Sequence, residues 1–264
     1  MSVYHITYTP SLSELYLYFG GSTSGRGSPS GNSNCNFSCH GCISKYHPQD
    51  CHLAHEVLSH EQSREAKDES LQIEQVLSQI EPLSIKSVTF LGKEPTGDSD
   101  FLPLARILKT RFSSHNTLLT NGWEYVGDEV IDEVCMSIKA ITPTLFEDWT
   151  GRRGPERVLE NFKRLADCKR IKLRAESLFV PEYIDRDEIK KIARFIATVS
   201  REIPYRIDGY IPFGIKGGST SGDRFRRPTK EEMEGVKIVA EEYLQNVSIL
   251  YKGVRVKNKV EKIC

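Results

Sequence analysis

Short β-rich apolar runs separated by stretches of helical periodicity constrain this chain most. That alternation is the signature of βα units and leaves few architectures besides a parallel sheet covered by helices. The runs are Leu15–Phe19, Ser87–Leu91, Thr117–Thr120, Met136–Ile141, Ile171–Val180 and Arg206–Pro212, with Val247–Tyr251 a seventh. Between them, Ile73, Val76, Leu77 and Ile80 recur at i, i+3, i+4 and i+7, as do Ile189, Ile192, Ala193 and Ile196. Each set therefore lies on one face of a helix. A Thr229-x-x-Glu232 capping box directly after Pro228 opens a last helix through Met233, Val236, Ala240 and Tyr243. Six such repeats closed part-way predict an α/β fold, a partial, open β6/α6 TIM-type barrel with mainly parallel strands. Its ligands would bind at the C-terminal ends of the strands. The 264 residues read as a single domain with its core over about 13–251.

Composition excludes several classes. Basic and acidic residues number 36 each, so no global field recruits nucleic acid or an anionic membrane, although Arg224, Arg226 and Arg227 make a local basic cluster. No apolar run approaches the roughly 18–20 residues that span a bilayer, and MSVYHITYTP lacks a signal-peptide pattern, so a soluble cytoplasmic protein is expected. One segment, Gly20–Asn34, is rich in glycine and serine without apolar anchors and reads as a flexible loop; its hexapeptide GGSTSG returns at Gly217–Gly222.

Seven cysteines is an odd count, and three of them crowd into Cys35-x-x-x-Cys39-x-x-Cys42, which argues for reduced thiols over a disulfide framework. Cys135, Cys168 and Cys264 stand apart and read as small apolar side chains. Three thiolates on one short loop can hold three irons of a cubane and leave the fourth open to a small molecule. The rival reading is a non-enzymatic zinc-binding module, drawing on His40, His47, Cys51, His52, His55 and His60 around the motif.

Further candidates stand at successive strand ends. Gly92-Lys93-Glu94-Pro95 follows SVTFL; glycine permits close backbone approach, and a carboxylate with free carbonyls can hold an ammonium group. Asn121, in Thr120-Asn121-Gly122, offers both donor and acceptor. In Ser137-Ile138-Lys139 the alternation puts Ser137 and Lys139 on one side of the sheet, where the lysine requires a partner such as a ligand carboxylate.

With these motifs in order, the chain resembles the radical S-adenosylmethionine (SAM) superfamily. Within it, the closer likeness is to the glycyl-radical-enzyme activases, such as the pyruvate formate-lyase and anaerobic ribonucleotide reductase activating enzymes. Besides the cysteine motif and Gly92–Pro95, the likeness rests on LLTNGW, SIK, KLRAESLFVPEYID, IPFG and RPTKEEMEGVKIVAEEYL. It implies a [4Fe–4S] cluster on Cys35, Cys39 and Cys42. It also implies a SAM site drawn from Gly92, Lys93, Glu94, Asn121, Ser137, Lys139 and Arg174. Gly92 and Glu94 would meet the amino group, Lys139 the carboxylate, and Asn121 the ribose or methionine moiety.

The implied reaction is reductive cleavage of SAM to methionine and a 5′-deoxyadenosyl radical. The implied substrate is a glycine of a partner enzyme, with flavodoxin or ferredoxin as electron donor. A radical SAM enzyme acting on a small molecule, peptide or RNA is the alternative. Three departures stand out: Lys93 replaces the family's second glycine, Ser137 replaces the aspartate of an Asp-x-Lys pair, and Gly41 takes a position that is often aromatic.

Overall fold

A computed structural model describes residues 3–20, 35–42, 44, 70–212, 225–251 and 258–264. The glycine- and serine-rich stretch from 21 to 34, the second GGSTSG, Arg224, Cys51, and the histidines at 47, 52, 55 and 60 lie outside them. The strands are β1 (Val3–Thr9), β2 (Glu14–Phe19), β3 (Ser87–Gly92), β4 (His115–Thr120), β5 (Glu133–Ser137), β6 (Lys172–Phe179), β7 (Tyr205–Gly209), β8 (Val247–Leu250) and β9 (Glu261–Lys262). The helices are α1 (Ile73–Ile80), α2 (Phe101–Phe112), α3 (Pro143–Thr150), α4 (Glu156–Asp167), α5 (Arg186–Val199) and α6 (Lys230–Glu241).

Among the described residues the strands form one sheet ordered β8-β7-β6-β5-β4-β3-β2-β1-β9. Every pair from β2 to β8 is parallel, while β1 is antiparallel to β2 and to β9. The expected open, mainly parallel α/β architecture is present, with an antiparallel edge that the strand runs did not include.

The two faces of the sheet differ as period-two alternation requires. Val88, Phe90, Leu118, Val134, Met136, Ala175 and Ile207 are buried on one face. They join one core with the helix stripes, including Val76 and Ile80 of α1, Leu104 and Leu108 of α2, Phe162 of α4, and Ile189, Ile192 and Ile196 of α5. Each such isoleucine contributes roughly 1.5–3 kcal/mol by leaving water. The opposite face is polar and carries Thr89, Thr117, Cys135, Ser137, Arg174, Glu176, Arg206 and Asp208.

Local chemistry explains the boundaries. The capping box is formed: Glu232 N–H donates to Thr229 Oγ1 at 3.2 Å, and Thr229 N–H donates to Glu232 Oε2 at 2.8 Å. Arg226 pairs with Glu182 and Glu232, which neutralises one member of the basic cluster. β5 begins and ends earlier than Met136–Ile141. Ile141 and Thr142 instead donate their backbone N–H groups to Glu188 of α5, at 2.5 and 2.8 Å, which draws the chain off the sheet before Pro143 opens α3.

A parallel crossover normally contains a helix, but residues 121–132 join β4 to β5 without one. Fully buried Asn116 holds that connection by donating to Val130 O at 2.9 Å and to Ala105 O at 3.0 Å.

Candidate active site

The cysteine loop lies against the C-terminal ends of β3 and β4. Cys35 Sγ is 3.6 Å from Lys93 O, accepts from Phe37 N–H at 3.4 Å, and lies 3.9 Å from Asn121 Nδ2. The same Asn121 amide donates to Asn36 Oδ1 at 2.6 Å, and its Oδ1 accepts from Trp123 N–H at 3.0 Å. Asn121 is thus a tie between the strand end and the loop.

The loop's outer side is fixed by α3. Ser38 N–H donates to Thr150 O at 2.8 Å and His40 N–H to Trp149 O at 3.1 Å, which satisfies carbonyls that a helix end leaves unpaired. Phe37 is buried with its ring 5.6 Å from both Trp123 and Phe146, and Arg152 Nε donates to Asn36 O at 2.7 Å.

Gly92 has φ +110°, and a Cβ there would lie 2.4 Å from Phe19 O, so only glycine permits this contact with β2. Lys93 keeps the backbone link, donating from N–H to Phe19 O at 2.8 Å. Its aliphatic stem packs over Gly20, which leaves its carbonyl directed at Cys35. The bulky residue is accommodated because glycine stands opposite it.

Glu94 is buried, and its carboxylate is turned into the protein. Oε1 accepts from Thr96 N–H at 3.3 Å, Thr96 Oγ1 at 2.9 Å and Thr120 Oγ1 at 2.8 Å. Oε2 accepts from Asn121 N–H at 2.8 Å. Burial pushes the Glu94 pKa up, against these hydrogen bonds, which pull it down. Among the described residues no cation pairs with it.

Gly41 sits against two rings: a Cβ would lie 2.6 Å from Trp149 and 2.7 Å from Tyr210. Trp149 and Tyr210 belong to an aromatic cluster with Tyr183 and Phe225. The aromatic mass absent from the loop position is therefore present beside it, from other elements.

The remaining candidates form a second group on the polar face. Lys139, two residues past β5, donates to Ser137 Oγ at 2.7 Å, as the alternation requires. Arg174 is in register with Cys135 and pairs with Glu133 at 2.6 Å, one layer toward the strand starts. No hydrogen bond or ion pair joins it to the cysteine loop among the described residues. Thr96, Asn36 and Trp149 were not singled out from sequence, and Thr120 stood in its motif without a role of its own; Thr96 adjoins Gly92–Pro95 and Asn36 lies within the cysteine motif, while nothing local marked Trp149.

The three thiols fit an iron–sulfur cluster in donor type and surroundings. They share one loop, each is partly buried, and Cys35 already receives an N–H···S bond of the kind that stabilises cluster thiolates. Burial pushes the Cys35 thiol up to about 12; Phe37 N–H opposes the shift, while Glu94, Cys39 and Cys42 add to it. Metal must therefore displace a tightly held proton. Among the described residues, no three His, Cys, Asp or Glu side chains converge as they would around a single metal ion.

The Radical SAM superfamily model matches residues 31–196, which include the cysteine motif and the ends of β3, β4 and β5. This chain belongs to the radical SAM superfamily. The radical SAM protein is 26% identical over 221 residues to a Methanocaldococcus jannaschii protein provisionally named a glycyl-radical enzyme activating enzyme, covering 81% of this chain and 76% of the relative. Among solved structures, Streptococcus suis SuiB bound to S-adenosylmethionine superposes with a TM-score of 0.56 at 16% identity, covering 83% of this chain and 48% of SuiB. A radical SAM methyltransferase from Sphaerobacter thermophilus gives a TM-score of 0.54 at 14% identity, covering 69% of this chain and 57% of the other. The chain thus spans about half the length of SuiB, and these two likenesses concern the fold. None of the described helices is long and apolar enough to cross a membrane.

Proposed function

We propose that this radical SAM enzyme, acting as a single radical SAM domain, is an activase that removes a hydrogen atom from a glycine of a partner enzyme. The observation that carries the reading is the joining of the cysteine loop to two strand-end motifs at once, through Lys93 O and Asn121. The Methanocaldococcus jannaschii relative supports the activase class.

Cys35, Cys39 and Cys42 would hold a [4Fe–4S] cluster. When bound, the cluster supplies the electron that cleaves the SAM sulfonium, giving methionine and a 5′-deoxyadenosyl radical. The chain's own residues bind and orient. Phe37 N–H and Asn121 Nδ2 direct donors at the Cys35 sulfur and stabilise its thiolate. Gly92 and the Lys93 carbonyl present backbone to the ligand's amino group, and Glu94 holds the strand ends behind it through its bonds from Thr96, Thr120 and Asn121. Lys139 meets the ligand carboxylate. Buried Phe37 and the partly buried cysteines, packed between the strand ends and α3, would limit water around a site where radical chemistry must be shielded. A flavodoxin or ferredoxin would supply the electron.

The test is anaerobic reconstitution with iron and sulfide, followed by dithionite and SAM. Formation of 5′-deoxyadenosine is expected, and none from a fully loaded protein would overturn the assignment. A glycyl radical detected by electron paramagnetic resonance on adding a candidate partner would identify the substrate; hydrogen abstraction from a small molecule or RNA instead would replace the activase reading.

A further inference from the structure

Lys139 is oriented by a hydrogen-bonded row that crosses three strands. Ser137 of β5, Glu176 of β6 and Arg206 of β7 are successive Cα partners in parallel ladders, so their side chains share the polar face at one level. Lys139 Nζ lies 2.7 Å from Ser137 Oγ, which lies 3.4 Å from Glu176 Oε1. Glu176 Oε2 takes an Arg206 N–H at 2.5 Å, and Arg206 also grips Asp208 with contacts of 2.8 and 3.0 Å.

Donor and acceptor types fix the direction of this row. An ammonium only donates, so Ser137 must accept from Lys139, and its own proton then goes to Glu176. Among the described residues Lys139 makes no salt bridge to a carboxylate; its hydrogen-bonded link to negative charge runs through that single hydroxyl, while Asp208 is near enough to feel the ammonium through space. Arg206 does not need Glu176 alone, since Asp208 binds it twice. Burial and the nearby Glu176 push Asp208 up to about 7, while Arg206 pulls it down, so the row is electrostatically tight.

We propose that Glu176 is the positioning residue for Lys139, acting through Ser137 Oγ so that the two remaining ammonium N–H groups stay aimed at the ligand carboxylate. The inference rests on the proposed SAM site. This chain carries Ser-x-Lys at the end of one strand and supplies the carboxylate laterally from the next.

The test is SAM affinity of the reconstituted protein by equilibrium dialysis, a binding readout independent of turnover. Lys139→Ala is expected to weaken binding about tenfold and Glu176→Gln about threefold to tenfold, with Glu176→Gln adding less than about twofold in the Lys139→Ala background, as coupled residues do. Ser137→Ala cuts the row without disturbing Glu176–Arg206 and should match Glu176→Gln. Ser137→Asp should restore affinity to the Glu176→Gln protein by relocating the carboxylate. Equal losses from Glu176→Gln with and without Lys139, or wild-type affinity in Ser137→Ala, would overturn the positioning role and leave the SAM site standing. Unchanged affinity in Lys139→Ala would overturn both.

Discussion

Glu94 and Glu188 are both buried carboxylates that fasten the chain beyond a strand end, yet they settle on opposite sides of the ordinary carboxylate range. Glu94 takes four hydrogen bonds from Thr96, Thr120 and Asn121 and no cation, and burial leaves its pKa raised. Glu188 takes bonds from Ile141 N–H, Thr142 N–H and Thr142 Oγ1, and also from Lys191 Nζ at 3.1 Å. Burial alone would raise it as well, but those bonds hold it below the usual range. The pair teaches that neutral donors, with the smallest share from Lys191, outweigh burial at Glu188, while a similar set of neutral donors does not at Glu94. A site that lacks an internal cation is one where a cationic ligand has most to offer.

The strongest way to break this comparison is to neutralise each carboxylate. Glu94→Gln and Glu188→Gln should each cost about 2–4 kcal/mol, because an amide turned toward existing donors leaves some of them unpaired. Denaturant titration measures this. Only the first should also weaken SAM binding by roughly tenfold or more, against no more than about threefold for the second. Comparable losses of affinity in both would show that Glu94 is merely another fastening. Next in size, Gly41→Ala drives a methyl against Trp149 and Tyr210 and should cost about 1–3 kcal/mol, with reduced iron loading. Full loading and unchanged stability would show that the rings yield freely.

Acidity sharpens the contrast further. The depressed Glu188 contributes stability that is present above the unfolded glutamate value of about 4.3 and is lost as pH falls through its folded value. The raised Glu94 behaves oppositely: its contribution is present below about 4.3 and is lost as pH rises through its folded value. Thermal unfolding of the two glutamine variants against the native chain should therefore diverge in opposite directions with pH. Parallel curves would deny the difference. The smallest effect expected is that of Lys191→Ala, about 0.5 kcal/mol, since the lysine is half exposed and screened by solvent. Its more telling readout is an upward move of the Glu188 titration by nuclear magnetic resonance.

Legibility in the sequence followed locality. Strand cores and helix stripes were readable because period-two and i, i+3, i+4 patterns lie within a few residues of one another. The capping box at Thr229 was readable for the same reason. β1 was not, since nothing within VYHITYT announces an antiparallel partner at the sheet edge. The early end of β5 was hidden because Glu188, far along the chain, removes Ile141 and Thr142 from the ladder. At the site, the cysteine spacing and the strand-end motifs were visible as letters, but the inward turn of Glu94 depends on Thr120 and Asn121, and the tolerance for Lys93 depends on Gly20. Glu176 stood unnoticed within KLRAESLF because its meaning lies in cross-strand register, which no single segment reveals.

The bonds from Ser38 and His40 to the last carbonyls of α3 bear on the order of assembly. They place half of the cysteine loop as a consequence of helix packing, before any iron arrives, so metal delivery meets a partly shaped receptacle in place of a free chain. Limited proteolysis of iron-free protein should find the peptide bonds around Ser38 protected, and a cluster donor would have to approach from the side that α3 does not cover.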